Sequence, residues 1–280
     1  MSTQIDNLDP GNVDLAVEWA AREGWNPGLH DAQCFAAADA DAFFVGRIEG
    51  KPVATISLVE YSAKFAFLGL YIVEPAYRGQ GHGHALWKAA LAAAAGRSIG
   101  LDGVVAQQEN YKRSGFRLAY RNVRYRGVRD AGHVIDARVV PLSAIAFDDV
   151  VAYDTAMFGV EREAFLRCWI AQPQSKALAV VRGGSIAGYG VLRRCRRGHK
   201  VGPLFADDAS LADALFDALA MHVVEGEEMF LDVPEPNRAA VALAERHGMS
   251  IVFETARMYT GEAPRIPLER VFGVTTFELG

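Results

Sequence analysis

The sequence predicts an α/β fold built twice within one chain, on three observations. Residues 64–91 run from an apolar, aromatic-rich segment through glycines at alternate positions, Gly79, Gly81 and Gly83, into an Ala/Leu-rich stretch with helical spacing. With the apolar residues 98–106 this makes a strand, loop, helix and strand whose two strands should lie parallel. Two hairpin signals, Glu49-Gly50-Lys51 and Gly183-Gly184, each part a pair of β-branched or aromatic runs. Finally, 280 residues at 51% hydrophobic content suffice for two cores. The boundary is expected in the polar connection 127–132, giving a first domain over 1–130 and a second over 131–280.

Composition narrows the partners. A formal net charge of −5 gives no reason to expect nucleic acid or an anionic membrane. The sequence has neither a signal-peptide pattern nor an apolar stretch near the ~20 residues that cross a bilayer, so a cytoplasmic location is expected. Cys34, Cys168 and Cys195 are odd in number, far apart and without CxxC spacing. They read as reduced thiols, with neither disulfide nor metal site.

In the first half a helix is expected over 12–23, ending at Gly24. Trp25-Asn26-Pro27-Gly28 then makes a turn, and a short helix covers 29–35. Strands follow over 42–47, 52–60 and 64–73, the third apolar throughout and so buried on both faces. After the glycines a helix spans 85–95 and a strand 98–106, and an alternating strand over 118–125 closes the domain.

A strand, glycine loop and helix expose backbone N–H groups at the positive end of a helix, which is an anion cradle. The phosphate loop of NTPases requires Gly-Lys-Ser/Thr, and Gly83-His84-Ala85 stands there instead. The dinucleotide pattern G-x-G-x-x-G is not met either. Arg78, Gly81 and Gly83, preceded by Tyr71-x-Val73-x-Pro75-x-Tyr77, resemble the acetyl-CoA loop of the GNAT N-acetyltransferases.

That resemblance implies a mixed, mostly antiparallel sheet flanked by helices, with the two parallel strands splayed around pantetheine. It places acetyl-CoA on Tyr71, Ile72, Val73, Arg78, Gly79, Gln80, Gly81, His82, Gly83 and His84. Gln107 and Asn110 join them, replacing an Asn whose place is taken by Val104. The Tyr71 N–H would hold the oxyanion. Tyr111, in a Tyr-x-x-x-Gly-Phe pattern with Gly115 and Phe116, would protonate the leaving thiolate or else merely pack against the strand. Trp25, Asn26, His30 and Asp31 would touch the acceptor, or Trp25 would only pack beside a turn. For a general base the first choice is Glu60, then His30, then Asp102.

The second half repeats the pattern. A strand is expected over 133–141 and helix over 148–170, interrupted at Phe158-Gly159. Strands follow over 176–182 and 185–193, a helix over 209–224 and a strand over 228–233. Asn237-x-x-Ala240-x-x-Leu243 with Gly248-Met249 resembles the closing GNAT motif, but no glycine cradle precedes its helix and Ala244 stands where the first half has Tyr111. This half should therefore be non-catalytic. Residues 253–259 and 272–280 resemble the YitH-type carboxy-terminal GNAT domain. The run Arg193-Arg194-Cys195-Arg196-Arg197 is either a solvated hairpin tip or an attractor of anions.

The expected activity is transfer of an acetyl group from acetyl-CoA to a small primary amine, without metal, by a monomeric pseudo-dimer or a homodimer. The alternative is a non-catalytic acyl-CoA sensor or scaffold.

Overall fold

The computed structural model describes residues 3–130 and 136–280. In the first half come β1 (Gln4–Asn7), α1 (Asp14–Arg22), α2 (Asp31–Ala38), β2 (Phe43–Ile48), β3 (Lys51–Glu60), β4 (Phe65–Val73) and α3 (His82–Ala93). They are followed by β5 (Ser98–Val104), α4 (Gln108–Arg113) and β6 (Arg117–Val128). The second half holds β7 (Val139–Pro141), α5 (Phe147–Phe158), α6 (Glu163–Ile170), β8 (Ser175–Arg182), β9 (Ser185–Arg194) and β10 (His199–Ala206). It ends with α7 (Ala209–Ala220), β11 (Glu228–Pro234), α8 (Arg238–Arg246), β12 (Ser250–Tyr259) and β13 (Val271–Gly273). The strand expected over 133–141 begins outside the described residues, and β7 is the part that lies within them.

The strands join in one mixed sheet, ordered β1-β2-β3-β4-β5-β12-β6-β11-β10-β9-β8-β7, with β13 against β10. Hairpins make β2–β3, β3–β4 and β8–β9 antiparallel, while β4–β5 and β10–β11 are parallel across their helices.

At the centre the halves exchange strands. β12 lies between β5 and β6, and β6 lies between β12 and β11. The strand expected to close the first domain therefore pairs wholly with the second half. Alternation of side chains fixed its strand character, but pairing partners are set by packing across more than a hundred residues of intervening chain.

The helices cover the sheet for ordinary reasons. Leu86, Ala90 and Ala94 recur at four-residue spacing on or just past α3 and are buried with Trp87 against β3 and β4. α7 buries Leu211, Leu215 and Leu219 over β8, β9 and β10. α2 and α6 pack across the halves, with Phe35 stacked on Trp169 at 6.2 Å. This pairing brings Cys34 and Cys168 together as a disulfide, Cα atoms 5.2 Å apart, against the expectation of free thiols. Their separation of 134 residues hides a contact that exists only once two remote helices dock.

The basic run is in part the solvated hairpin tip, since Arg196 and Arg197 lie exposed in the turn between β9 and β10, but each of its arginines has a carboxylate partner within the protein. Arg193 is buried against Asp31, Arg194 meets Glu227 at 2.8 Å, Arg196 meets Glu18 at 2.8 Å and Arg197 pairs with Glu228. β10 was not foreseen as a strand because it contains Pro203, which gives the ladder no N–H. Pro203 sits where the register on β9 shifts, between Val201 and Leu204, so the missing donor falls in an irregularity.

Candidate active site

β4 and β5 stay paired from Phe65–Ser98 to Leu68–Leu101 and then part. On its other edge β4 loses step with β3 between Ser57–Gly69 and Thr55–Ile72, so Leu70 and Tyr71 have no ladder partner on either side. Leu70 takes φ +47°, a bulge conformation that costs a non-glycine residue free energy. The Thr55 hydroxyl holds it by donating to the Leu70 carbonyl at 3.0 Å. A cavity of about 380 Å³ opens in the gap, lined by residues 68–73 and 101–104 among others.

At its outer end α3 begins. Gly79 and Gly81 have φ of +74° and +88°, and Gly81 caps the helix without any side chain taking the first N–H groups. A Cβ on Gly83 would come within 2.6 Å of Val73 Cγ2 and 2.7 Å of the Tyr71 hydroxyl, so glycine lets α3 start tight against β4. Arg78 donates through Nε to the Val73 carbonyl at 2.8 Å and pairs with Glu23. Gln80 donates to the Ala76 carbonyl, His84 is exposed, and the His82 ring is taken up by the Thr3 hydroxyl and Tyr77. α3 starts at His82, a turn earlier than expected, because the cap is Gly81. A helix start whose N–H groups no side chain satisfies suits a diphosphate.

Tyr111 of α4 lies deep in the same gap. Its ring stacks on Trp87 at 5.5 Å and fits over Gly103, where a Cβ would meet it at 2.2 Å. Burial, with the nearby Tyr71 hydroxyl adding, pushes its phenol up to about 12. Gln107 lines the cavity and accepts from Asn110 at 2.6 Å.

Trp25, Phe253 and Thr255 of β12, and Phe277 and Glu278 of the final segment form the other end. Of the residues expected to meet an acceptor, Trp25 alone lines the cavity. Asn26 bonds the Arg197 main chain in both directions, at 3.0 and 2.8 Å, and His30 stands just before α2 outside the cavity. Asp31 is buried, accepting from the Gly28 N–H at 2.7 Å and from Arg193 at 2.5 and 2.6 Å.

Glu60 is a correction of the same kind. It sits at the far end of β3, opposite Ala66, in an ion pair with Arg97 at 2.6 Å. Asp102 does line the cavity, but Arg257 grips its carboxylate at 2.9 and 2.5 Å and Asn122 donates to it at 2.8 Å. Phe253, Phe277 and Glu278 were missed. The available signal was the run 271–280, apolar or small except for one carboxylate, and buried throughout.

The second half has a matching gap that is filled. β10 and β11 pair only over His199–Met229 to Val201–Leu231. Beyond that β13 pairs β10, and the Val274 N–H donates to the Asp232 carbonyl at 2.8 Å. α7 is capped by Asp208, which accepts from the Leu211 N–H at 3.0 Å.

The acetyltransferase (GNAT) family model matches residues 13–116, and the acetyltransferase (GNAT) domain model matches residues 150–273. The chain is 31% identical over 266 residues to holothin acyltransferase of Pseudoalteromonas sp. (strain SANK 73390), covering 95% of this chain and 90% of that one. The chain belongs to the GNAT acetyltransferase family. Among solved structures, a Pyrococcus horikoshii protein assigned as an acetyltransferase superposes on this tandem GNAT chain with a TM-score of 0.84 at 23% identity, over 99% of this chain and 96% of that one. A tandem GNAT protein from the clavulanic acid biosynthesis pathway gives 0.65 at 15% identity, over 94% and 100%. Among the described residues no helix of this GNAT protein is long and apolar enough to cross a membrane, and no cluster of His, Cys, Asp or Glu could hold a metal.

Proposed function

We propose that the first half transfers an acetyl group from acetyl-CoA to the nitrogen of a small primary amine, by direct attack with both substrates bound. The observation that carries this reading is the open gap between β4 and β5, ending on a helix start with no side-chain cap. The N–H groups at Gly79 to His84 would hold the diphosphate, with Arg78 and Gln80 at the rim. The main chain of Tyr71, Ile72 and Val73 would hold the pantetheine amides, and Gln107 and Asn110 the far side. CoA supplies a thioester carbonyl open to attack and a thiolate leaving group.

The N–H of Tyr71, a residue with no register partner on either neighbouring strand, would donate to the oxygen as it gains charge, worth about 3 kcal/mol by the measure of other oxyanion holes. Tyr111 would keep its proton at neutral pH and hydrogen-bond to the sulfur as charge gathers there. We assign the second half to the YitH type, a supporting domain that makes a pseudo-dimer of one chain. The cytoplasm is our proposed location, a compartment in which a disulfide such as Cys34–Cys168 is rare.

The test is release of free thiol from acetyl-CoA by the purified chain across a panel of primary amines. Amine-dependent release supports the reading. CoA binding without release under any amine would favour a sensor, and no CoA binding would overturn the proposal.

A further inference from the structure

We infer that the acceptor is a small primary amine with a flat aromatic or heteroaromatic body. In this inference, which rests on the reading above, Glu278 receives the acceptor's proton. Trp25, Phe253 and Phe277 come from three separate parts of the chain to one end of the cavity. Arg124 fixes all three from behind. Its guanidinium lies 5.7 Å from the Phe253 ring and 4.9 Å from the Phe277 ring, and it donates to the Trp25 carbonyl at 2.6 Å. Asp232, opposite Arg124 on β11, holds the guanidinium through bonds of 2.6 and 2.7 Å. Aromatic walls held this firmly favour a π face over a flexible chain.

Glu278 is 5% exposed, yet it lines this cavity. Its carboxylate takes a hydrogen bond from the Thr276 hydroxyl and, among the described residues, has no ion pair. Behind it lie Arg193 with Asp31, Arg124 with Asp232, and the buried Lys200 at 3.9 Å from Asp232. Counting Glu278, three basic side chains stand beside three carboxyl side chains.

The backbone is set for this placement. The Glu278 carbonyl lies 1.9 Å from where a Cβ on Gly69 would stand, so the segment lies directly on β4 where the gap begins. The ammonium first loses one proton to water; as the neutral amine nitrogen then bonds the acyl carbon and the carbon–sulfur bond breaks, Glu278 takes a second proton from nitrogen and Tyr111 gives one to sulfur. The amide and the free thiol result, and water restores both side chains.

The experiment is calorimetric titration of the CoA-saturated protein with benzylamine and with cyclohexylmethylamine, which matches it in charge and bulk without a π face. Benzylamine should bind tighter by a factor of about 3 to 30. Glu278→Gln should weaken benzylamine by about tenfold or more, while CoA affinity stays within about twofold. Phe277→Leu keeps an apolar side chain, so it serves should Glu278→Gln fail to fold, and it should bring the two amines level. Equal affinity for the two amines, undetectable benzylamine binding or an unaffected Glu278→Gln protein overturns the inference while leaving acyl-CoA binding intact. Absence of CoA binding overturns the functional proposal with it.

Discussion

Each half of the molecule opens a parallel strand pair, and only one opening is left free. Between β4 and β5 the gap is a cavity; between β10 and β11 it holds residues 271–275 of the same chain. A Cβ on Gly202 would lie 2.7 and 2.6 Å from the Val274 and Thr275 carbonyls, so the filling is in close main-chain contact. The helix starts differ in the same sense. α3 offers its N–H groups past Gly81, whereas α7 has Asp208 on its own and Asp207 beside it, bound to Arg182 and Arg270. A carboxylate there does the work a phosphate would do and repels one besides. The second half has Ala244 where the first has Tyr111, each accepting at its carbonyl from the N–H five residues on. The filling segment then continues to Phe277 and Glu278, which wall the first cavity. A duplicated scaffold has thus become one site, with the spare opening turned into an anchor for the part that completes the other.

Cutting the shared segment should have the largest effect. Deleting residues 276–280 removes Phe277 and Leu279, both buried, for a loss of about 3 to 6 kcal/mol. Against a total of about 5 to 15 kcal/mol this is severe. Thiol release should vanish and the thermal midpoint fall by about 10 °C. A shortened chain with full activity would separate the tail from the site.

Tyr111→Phe asks whether the difference from Ala244 is chemical. Turnover should fall about 100-fold or more, with acyl-CoA affinity within about twofold, since the Trp87 stacking survives. Unchanged turnover would reduce Tyr111 to packing. The phenol also leaves a mark on stability. Its folded pKa of about 12 lies above the unfolded value of about 10, so the fold favours the neutral form. That contribution, about 2 to 3 kcal/mol, is whole below pH 10 and disappears as pH rises through 12. Denaturant titrations of Tyr111→Phe against wild type over that range should show a shallower alkaline decline.

A pair of glycine substitutions contrasts the openings directly. Gly83→Ala drives α3 away from Val73 and Tyr71, and should raise KM for acetyl-CoA about tenfold with a modest stability loss. Gly202→Ala strikes the Val274 and Thr275 carbonyls. It should cost about 1 to 3 kcal/mol in a denaturant melt, with its effect on KM smaller than that of Gly83→Ala. The reverse pattern would mean that the second opening, rather than the first, takes the acyl donor.

What the sequence revealed was local. Gly79, Gly81 and Gly83 mark a helix start because only their backbone freedom and small size allow it, and the interruption after Phe158 is visible as Gly159 with φ +93°. What it hid was remote. β6 and β12 alternate as any strand does, so nothing in either says that each pairs with the other half. Sequence order puts Glu60 just before the strand that leads to the loop, yet it lies at the far end of β3 beside Arg97. Asp31 was expected at the acceptor, but Arg193, 162 residues away, pairs with it in the interior. Glu278 is brought to the cavity only because residues 271–275 anchor in the other opening.

The smallest effect tests whether the second opening is closed by more than its cap. Asp208→Ala removes the hydrogen bond to the Leu211 N–H and the ion pair with Arg182, and should cost about 1 kcal/mol. The exposed N–H groups would then resemble those of α3, but residues 271–275 would still fill the gap and Asp207 would still carry its charge beside the helix. Calorimetric titration with CoA should therefore keep one site per chain, at unchanged affinity. Two sites would mean that a single carboxylate had been holding shut a pocket able to bind, and that the two halves differ by that residue more than by the path of the chain.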